Sequence, residues 1–359
     1  MNDSKISEKI RIVHFLNYCR DGGTVDMILS LMRRSKHQHT YLTFEASQRR
    51  RDEFKYLNLE LVEIGEDEQK AVDFINQNAD ILHASFSGGP EPGMFFGCKA
   101  NKPIVLSCQA PNIPLTPGEA KDCHIHIIPV SRGILEYWPQ DYQYDRVIYS
   151  CAEPIPECDK QKAKAHFGFN PEKPVVGRVG RLEGMKRPED FVFIARQIWN
   201  QVPGYVQFLL VGEGSDGDGI RYAVRREKIP VVMPGYLTGV DKILAYNAID
   251  VFLYPTSVEG FGIVFAEAMS LGIPIVTYSD PVNVDVVGAA GVFGVDNLYT
   301  GIENPWFSMA SLTLDLLRNQ REWNKLHQNG LRRYKQRYTP ERMVQEFDQL
   351  YEEIINETV

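Results

Sequence analysis

The residues best suited to chemistry in this chain of 359 residues lie between positions 254 and 269, where the sequence is YPTSVEGFGIVFAEAM. This pattern predicts a strand end, a glycine-bearing turn and then a helix. Gly260 and Gly262 allow the backbone to turn sharply and to approach a ligand closely. A helix that begins near Gly262 offers free amide groups and the positive end of its dipole, which suit a diphosphate. The segment therefore predicts a site for a phosphate-bearing ligand.

Two carboxylates accompany this turn. Glu259 lies before the predicted helix, and Glu267 lies two turns into it. Carboxylate oxygens accept hydrogen bonds from hydroxyl groups, so one residue can reach past the phosphates toward a sugar while the other faces a different part of the ligand. A hydrolytic pair that flanks one glycosidic bond is not expected, because the helix directs the two side chains to different places.

A second loop supplies positive charge. Residues 177–187 have the sequence GRVGRLEGMKR and follow directly on a predicted strand. Arg181 offers a planar fork of donors and Lys186 a point charge. Such a pair can neutralise a diphosphate as it becomes a leaving group. Their separation suits a loop better than one face of a helix, so we expect both side chains at the phosphates of the same ligand.

In combination these residues resemble the glycosyltransferases of family 4. The resemblance rests on the E-x7-E spacing from Glu259 to Glu267 and on Gly180, Arg181 and Lys186. It implies a retaining enzyme of the GT-B fold, with two doubly wound Rossmann-like α/β domains that face each other across a cleft. Such an enzyme moves a hexose-type sugar from a nucleoside diphosphate donor to an acceptor hydroxyl. A UDP-type donor is expected ahead of GDP or ADP.

The resemblance also implies roles for individual residues, and Glu259 is expected to be catalytic. The residues expected to bind the donor diphosphate are Gly22, Gly23, Arg181, Lys186, Gly262, Ile263 and Val264. The residues expected at the donor sugar are Glu259, Gly260, Phe261 and Gly262. The residues expected at the nucleoside are Glu267, Gly212, Met233, Pro234 and Tyr236. No metal is expected, because Arg181, Lys186 and the helix terminus already supply positive charge. No cofactor is expected, because the nucleotide-sugar donor is itself a substrate.

In the first half of the chain the resemblance is weaker. Gly22 and Gly23 follow the first predicted strand and form the expected glycine loop. His83 matches a strand end where the family often carries a histidine near the reacting sugar, so a catalytic role is expected for it as well. A frequent second histidine is replaced by Ser85, and the segments 150–153 and 279–283 also depart from the family pattern. These departures indicate an unusual subfamily.

Other functions remain open at this point. The segment 212–217, GEGSDG, fits the G-x-G-x-x-G pattern of an NAD-dependent oxidoreductase. However, it follows the second strand of its domain, and no acidic residue follows the next strand near Met233. Asp216 and Asp218 also suggest a pair of metal-binding carboxylates. A flexible turn is the preferred interpretation of this segment. The remaining alternatives are a nucleotide-sugar epimerase and a non-catalytic nucleotide-sugar-binding protein or partner subunit of the same fold.

The elements that must position these residues alternate between short β-branched runs and helical stretches, which is typical of parallel sheets covered by helices. Predicted strands are 10–16, 40–44, 80–84, 103–107, 126–130, 146–149, 175–179, 206–212, 230–233, 250–254 and 274–277. We expect an acceptor-side domain over 1–155 and a nucleotide-sugar-binding domain over 156–338. The segment 339–359 is expected to be an amphipathic helix that returns to the first domain.

Bulk properties limit the partners. A net charge of −8 argues against a nucleic-acid surface. Six widely spaced cysteines are expected to be reduced thiols in the cytoplasm. The polar N-terminus argues against an export signal, and no apolar run reaches the length of a membrane span. The basic clusters 33–36 and 49–51 leave open a peripheral contact with the inner membrane surface, with a glycan, a lipid or a small molecule as acceptor.

Overall fold

The computed structural model describes residues 9–20, 22–87, 92–113, 123–296 and 305–358. The chain divides into two compact units. Unit 1 comprises Met1–Cys151 and Pro340–Val359, and unit 2 comprises Ala152–Thr339. The division therefore falls a few residues before the predicted boundary between 155 and 156. Each unit has its own parallel sheet, which confirms the predicted α/β class with two doubly wound units.

Unit 1 is built around one six-stranded parallel sheet with the order β5-β3-β1-β6-β7-β8. Its strands are β1 Arg11–Phe15, β2 Tyr18–Cys19, β3 Gln38–Thr43, β4 Glu45–Ala46, β5 Glu60–Glu63, β6 Ile81–Phe86, β7 Ile104–Cys108 and β8 Ile125–Pro129. The short strands β2 and β4 pair separately. Its helices are α1 Gly23–Arg34, α2 Gln48–Tyr56, α3 Glu68–Asn78, α4 Pro92–Lys99 and α13 Pro340–Thr358, with a 3₁₀ turn at Arg132–Tyr137.

The last helix, α13, belongs to the core of unit 1. Its apolar stripe is almost completely buried and packs with α1 in one cluster. The stripe consists of Met343, Phe347, Leu350, Tyr351 and Ile354. Burial of each large apolar side chain contributes about 1.5–3 kcal/mol, so this stripe is a major part of the stability of unit 1.

Unit 2 repeats the same topology with the strand order β11-β10-β9-β12-β13-β14. Its strands are β9 Val175–Val179, β10 Gln207–Val211, β11 Val231–Gly235, β12 Val251–Leu253, β13 Ile275–Tyr278 and β14 Gly291–Gly294. Its helices are α5 Lys160–His166, α6 Pro188–Gln201, α7 Gly217–Glu227, α8 Gly239–Ala248, α9 Ile263–Ser270, α10 Pro281–Val287, α11 Pro305–Arg318 and α12 Gln320–Arg337. Two 3₁₀ turns lie at Gly184–Lys186 and Gly288–Ala290.

The strand order of unit 2 reverses between β9 and β12. Open parallel sheets bind ligands at such a switch point, outside the carboxyl ends of the strands. The segment 180–187 follows β9, and the segment 254–262 follows β12. The fold therefore brings the two predicted ligand-binding loops to neighbouring positions.

The strand predictions need correction at several places. The predicted strand 146–149 is wrong, because this segment follows β8 only through isolated hydrogen bonds such as Ile148 N to Pro129 O at 3.2 Å. The short strands β2 and β4 and the edge strands β5 and β14 were not expected. β5 lies at the sheet edge with partly exposed residues, and β14 begins and ends in glycine, so neither has the apolar β-branched pattern of the central strands.

The expectation that all cysteines are reduced is wrong for one pair. Cys98 in α4 and Cys123 before β8 form a disulfide with a Cα–Cα distance of 5.3 Å, which is usual for such a bond. Cys19, Cys108, Cys151 and Cys158 are not part of a disulfide. Cysteine usage therefore does not indicate a reducing compartment. Across the part of the chain that the structure describes, no helix is both long and apolar enough to cross a membrane.

Candidate functional site

A buried arginine stabilises the loop after β9. Arg178 in β9 is completely buried, and its guanidinium lies over the ring of Tyr254 at 4.7 Å. It donates to the carbonyl oxygens of Gly180 at 3.3 Å, Arg181 at 3.1 Å and Lys186 at 3.1 Å. One side chain thus fixes the backbone on both sides of the two predicted cations. Sequence reasoning missed this role, although an arginine within the buried strand VVGRV was the available signal.

Lys186 and Glu259 are in direct contact. Their atoms Nζ and Oε2 lie 2.8 Å apart, and the two side chains are only 14% and 8% exposed. Lys186 Nζ also donates to Val258 O at 2.9 Å, and Glu259 Oε1 accepts from Thr256 Oγ1 at 3.3 Å. The fold therefore brings together two predicted site residues from different loops. Their ion pair keeps a carboxylate and an ammonium group side by side at the switch point.

Arg181 lies on the same loop but is more exposed. Its side chain is 58% exposed and pairs with Glu183 at 3.0 Å. An ion pair in water contributes little, typically about 0–1 kcal/mol, so Arg181 can exchange this partner for a ligand anion at small cost. The side chain is thus available at the edge of the site.

The helix α9 begins where the sequence predicted an anion site. Gly262 is its N-cap residue with φ 74°, and the first turn has no hydrogen bond from a capping side chain. A Cβ atom on Gly262 would lie 2.6 Å from the ring of Phe265, so only glycine fits. Ile263 and Val264, expected at the diphosphate, form the first turn and are half-buried. The uncapped amides and helix dipole favour an anion at this end.

Further along α9, Glu267 is buried with both oxygens occupied. Its Oε1 lies 2.5 Å from Lys242 Nζ, and its Oε2 accepts from the Tyr246 hydroxyl at 2.5 Å. Burial, followed by the nearby Glu267 charge, raises the pKa of Tyr246 well above its usual value, so the phenol stays protonated and donates. Sequence reasoning missed Lys242 and Tyr246, because their role depends on the packing of α8 against α9.

The unusual segment 279–283 has a structural role. Asp280 accepts from Val282 N at 3.0 Å and caps α10. Asn283 is fully buried and donates to Thr256 O at 2.6 Å and Tyr278 O at 3.2 Å. Asn283 therefore ties the loop that carries Glu259 to the end of β13.

Arg187 links the two ligand loops. It has a positive φ of 46°, which is rare for a residue with a side chain. Its guanidinium donates to Ser257 at 3.3 Å, pairs with Asp296 at 2.5 Å and Asp190 at 2.7 Å, and lies over Tyr278 at 4.8 Å. The backbone next to Lys186 is thus anchored to the loop that precedes Glu259.

The residues expected at the nucleoside occupy the same end of the sheet. Met233 and Pro234 lie in the edge strand β11, and Tyr236 follows it with half of its surface exposed. Gly212 N donates to Gly235 O at 2.9 Å and so joins β10 to the end of β11. Their contact with a nucleoside remains a prediction.

The glycine-rich run 212–217 has an explanation within the protein. A Cβ atom on Gly212 would lie 2.0 Å from Gly180 O, and one on Gly214 would lie 2.4 Å from Leu182 O. These glycines therefore allow close packing against the loop after β9, which removes the main argument for an NAD site. Asp218 pairs with Arg221 at 2.9 Å. Within the described ranges no group of three metal-binding side chains comes together.

The two predictions for the first half of the chain, the glycine loop and His83, have different outcomes. Gly22 caps α1 and Gly23 begins it, and neither position is tested as a ligand contact. His83 is completely buried in β6, with Nδ1 2.6 Å from the Tyr351 hydroxyl and Nε2 2.6 Å from Ser107 Oγ. Burial, with a smaller effect of His39, lowers its pKa to about 3. His83 has no surface to offer a substrate, and we do not retain it as a catalytic residue.

The basic clusters in unit 1 are largely neutralised. Arg34 pairs with Glu341 at 3.3 Å and Lys36 with Glu352 at 2.6 Å, both on α13. Arg50 is buried and pairs with carboxylates at 2.7 and 2.8 Å, and Arg51 pairs with one at 2.8 Å. The positive charge left for an anionic membrane is therefore smaller than the sequence indicates, and no membrane contact is proposed.

Comparison with known families and curated proteins relates unit 2 to sugar transfer. The family described as "Glycosyl transferases group 1" matches residues 159–333. The chain is 32% identical over 129 residues to a D-inositol 3-phosphate glycosyltransferase of Segniliparus rotundus, a match that covers 33% of this chain and 27% of that protein. It is 30% identical over 191 residues to a trehalose synthase of Pyrococcus horikoshii, covering 43% and 46%. The chain thus spans less than half the length of these relatives.

Comparison with solved structures concerns the whole chain. The structure resembles Anabaena HepE in complex with UDP and glucose, with a TM-score of 0.78 and 15% sequence identity. The match covers 96% of this chain and 99% of that one. At this level of identity the likeness shows a common fold.

Proposed function

We propose that this chain, of which residues 159–333 match the glycosyl transferases group 1 family, is a retaining glycosyltransferase that moves a hexose-type sugar from a nucleoside diphosphate to an acceptor hydroxyl. Its fold is the GT-B fold. The observation that carries the proposal is the contact between Lys186 and Glu259 beside the uncapped start of α9, at the switch point of the unit 2 sheet. This arrangement combines a cation, a carboxylate and free amides where a phosphate-linked sugar requires all three.

The donor diphosphate binds at the start of α9. The first-turn amides of Ile263 and Val264 and the helix dipole stabilise its negative charge. Lys186 and the exposed Arg181 add full positive charges, and this stabilisation grows as the bond to the sugar breaks and charge develops on the leaving group. No step in this account requires a metal ion.

The donor sugar lies against Glu259 and the backbone of Gly260 and Phe261. Glu259 is held by Lys186 and Thr256, so its remaining lone pairs have a fixed direction for sugar hydroxyls. In a retaining transfer the leaving diphosphate and the incoming hydroxyl occupy the same face of the sugar. The protein then acts mainly by positioning reactants and stabilising the departing charge.

The nucleoside extends toward Glu267 and the end of β11. Glu267 accepts hydrogen bonds from the ribose hydroxyls, and Met233, Pro234 and Tyr236 border the base. A UDP-type donor is supported by the structural likeness to HepE, which is described in complex with UDP and glucose. The acceptor is a glycan, a lipid or a small molecule with a free hydroxyl.

The proposal is tested by following donor cleavage with proton NMR. Wild type is incubated with UDP-, GDP- and ADP-linked hexoses, with and without Mg²⁺, and the anomeric configuration of the first sugar released is recorded. We expect release from one donor, with its configuration retained. Glu259→Gln should lower the rate at least about 100-fold, the scale of a lost transition-state contact, whereas Glu172→Gln on an exposed loop should not.

Inversion of configuration would overturn the retaining assignment. Absence of cleavage of every donor, combined with absence of nucleotide binding, would favour the non-catalytic alternative. Equal rates for Glu259→Gln and Glu172→Gln would remove Glu259 from the mechanism.

A further inference from the structure

Two side chains on one face of α8 bind the carboxylate of Glu267. Lys242 and Tyr246 are four residues apart on this helix and therefore lie on the same face. Each holds a different oxygen of Glu267, at 2.5 Å in both cases. We call Lys242 and Tyr246 the α8 pair.

The α8 pair holds Glu267 rigidly. Tyr246 is completely buried, and its ring stacks on Phe252 of β12 with a centroid distance of 6.0 Å and an interplanar angle of 20°. Its hydroxyl therefore has a fixed position. The Lys242 side chain is 33% exposed and the Glu267 side chain 10% exposed, so the carboxylate still opens to one side.

A carboxylate offers about four lone pairs, of which the α8 pair occupies two. One acceptor position therefore remains on each oxygen. Two fixed acceptors side by side match the two neighbouring hydroxyl groups of a ribose. An unsupported glutamate would rotate about its terminal bond and lose this match.

The position of Glu267 along α9 agrees with this use. Glu267 lies four residues after Ile263, which is about 6 Å along the helix axis. A ribose is the group next to the diphosphate of a nucleotide. A diphosphate at the start of α9 therefore places the ribose one short step away, at the depth of Glu267.

From these contacts we infer that Lys242 and Tyr246 are positioning residues for ribose recognition, through which the protein selects ribonucleotides over their deoxy analogues. The inference rests on the proposed function, because it requires a nucleoside diphosphate at α9. It adds residues of α8, which lies outside both ligand loops, to the determinants of donor choice.

The experiment is a calorimetric titration with UDP, GDP and ADP and with the 2′,3′-dideoxy form of whichever nucleotide binds. The proteins are wild type, Tyr246→Phe, Lys242→Met and the conservative Lys242→Arg. Tyr222→Phe and Lys325→Met are matched controls at exposed positions. Circular dichroism and melting curves verify that each variant is folded, and Lys242→Met keeps the test decisive should Tyr246→Phe fail to fold.

We expect Tyr246→Phe and Lys242→Met to weaken binding of the ribonucleotide about tenfold or more, the scale of one hydrogen bond to a charged group. Both variants should bind the dideoxy form with the same affinity as wild type. Lys242→Arg should bind the ribonucleotide more tightly than Lys242→Met does. Equal losses for both nucleotide forms would reduce the α8 pair to a structural role, and unchanged binding would overturn the inference. Failure of wild type to bind any diphosphate would instead overturn the proposed function.

Discussion

At the scale of single residues, the site depends on charges that are paired before any ligand arrives. Lys186 contacts Glu259, Arg181 contacts Glu183, and Lys242 contacts Glu267. A lysine ammonium has three donors, so Lys186 can keep Glu259 while it binds a phosphate oxygen. In the proposed mechanism, donor binding therefore adds to the existing contacts, and the carboxylates keep their orientation.

Arg178 yields a prediction about the loop that carries these cations. In Arg178→Lys, an ammonium group replaces the planar guanidinium that donates to three carbonyl oxygens. At least one buried carbonyl therefore loses its donor. We expect the free energy of unfolding to fall by about 3 kcal/mol and nucleotide binding to weaken. Urea unfolding and calorimetry measure both quantities.

The matched control is Arg221→Lys, which alters a surface ion pair and should change stability by less than about 0.5 kcal/mol. If Arg178→Lys unfolds at the same urea concentration as this control, the buried arginine does not hold the loop.

Sequence reasoning at this scale selected residues at strand ends, and their ligand roles remain predictions. Glu259 and Lys186 were predicted from two loops at strand ends, and they are in contact. Arg178, Lys242 and Tyr246 were not predicted, because each acts on a partner that only tertiary packing brings near. His83 was predicted from its position at a strand end, which does not reveal that the side chain is completely buried.

At the scale of elements, the start of α9 is the feature that an anion requires. Its eight residues begin at Ile263, after the N-cap Gly262 and without a side-chain cap, directly after the turn that carries Glu259. Helix α8 contacts α9 through Lys242 and Tyr246, which both bind Glu267, the residue proposed to contact the ribose.

Gly262→Ala tests the start of α9. An alanine at φ 74° costs about 1–2 kcal/mol, and its Cβ would also collide with Phe265. We expect lower stability and at least about tenfold weaker diphosphate binding, because the first-turn amides must shift. Thermal melting and calorimetric titration measure the two effects.

Gly65→Ala is the control, because Gly65 has a similar φ of 66° and open space around its Cβ position. It should lower stability without any effect on nucleotide affinity. Equal nucleotide affinity in both variants would mean that α9 does not hold the diphosphate.

Most central elements were predictable from their β-branched buried runs, and β9 was predicted with its observed bounds. The edge strands β5 and β14 lacked this pattern, since one face or end of each is exposed or glycine-rich. The segment 146–149 had the pattern but pairs only irregularly with β8. Composition therefore indicates central strands better than it indicates the edges of a sheet.

At the scale of the whole molecule, unit 1 contains a row of buried histidines across three neighbouring strands. His39, His14 and His83 lie in β3, β1 and β6, and His14 Nε2 is 2.7 Å from His39 Nδ1. The helix α13 covers this row, and Tyr351 contacts His83. The stability of unit 1 is therefore coupled to proton binding.

Burial lowers the pKa of His39 and of His83 to about 3, against 6.5 for a free histidine. Below pH 6.5 these histidines bind protons in the unfolded chain but stay neutral in the folded chain. The contribution of these neutral histidines to the free energy of unfolding is thus complete above pH 6.5 and is lost as the pH falls toward 3. We expect a slope of at most about 1.4 kcal/mol per pH unit for each histidine.

Urea unfolding at pH 7 and pH 5 measures this slope for wild type and for His39→Gln, which should be less sensitive to acid. His124→Gln, at an exposed position, should behave as wild type. A wild-type stability that is the same at both pH values would contradict the neutral, buried state of these histidines.

The whole molecule also shows the limit of composition as a guide. The alternation of strands and helices was sufficient to predict two doubly wound units. The disulfide between Cys98 and Cys123 could not be predicted, because the two residues are 25 positions apart and have no motif in common. Their proximity follows from the tertiary fold, in which α4 packs on β6 and β7 and its end lies next to the residue before β8.

The central claim, that unit 2 binds a nucleoside diphosphate through Lys186 and the start of α9, is tested most directly by calorimetric titration of UDP, GDP and ADP. Wild type is compared with Lys186→Met and with Lys162→Met, which removes an exposed charge on α5. The account predicts that wild type and Lys162→Met bind one of these nucleotides equally well, and that Lys186→Met binds it at least about tenfold more weakly. Equal affinity in all three proteins, or no binding to wild type, would contradict it.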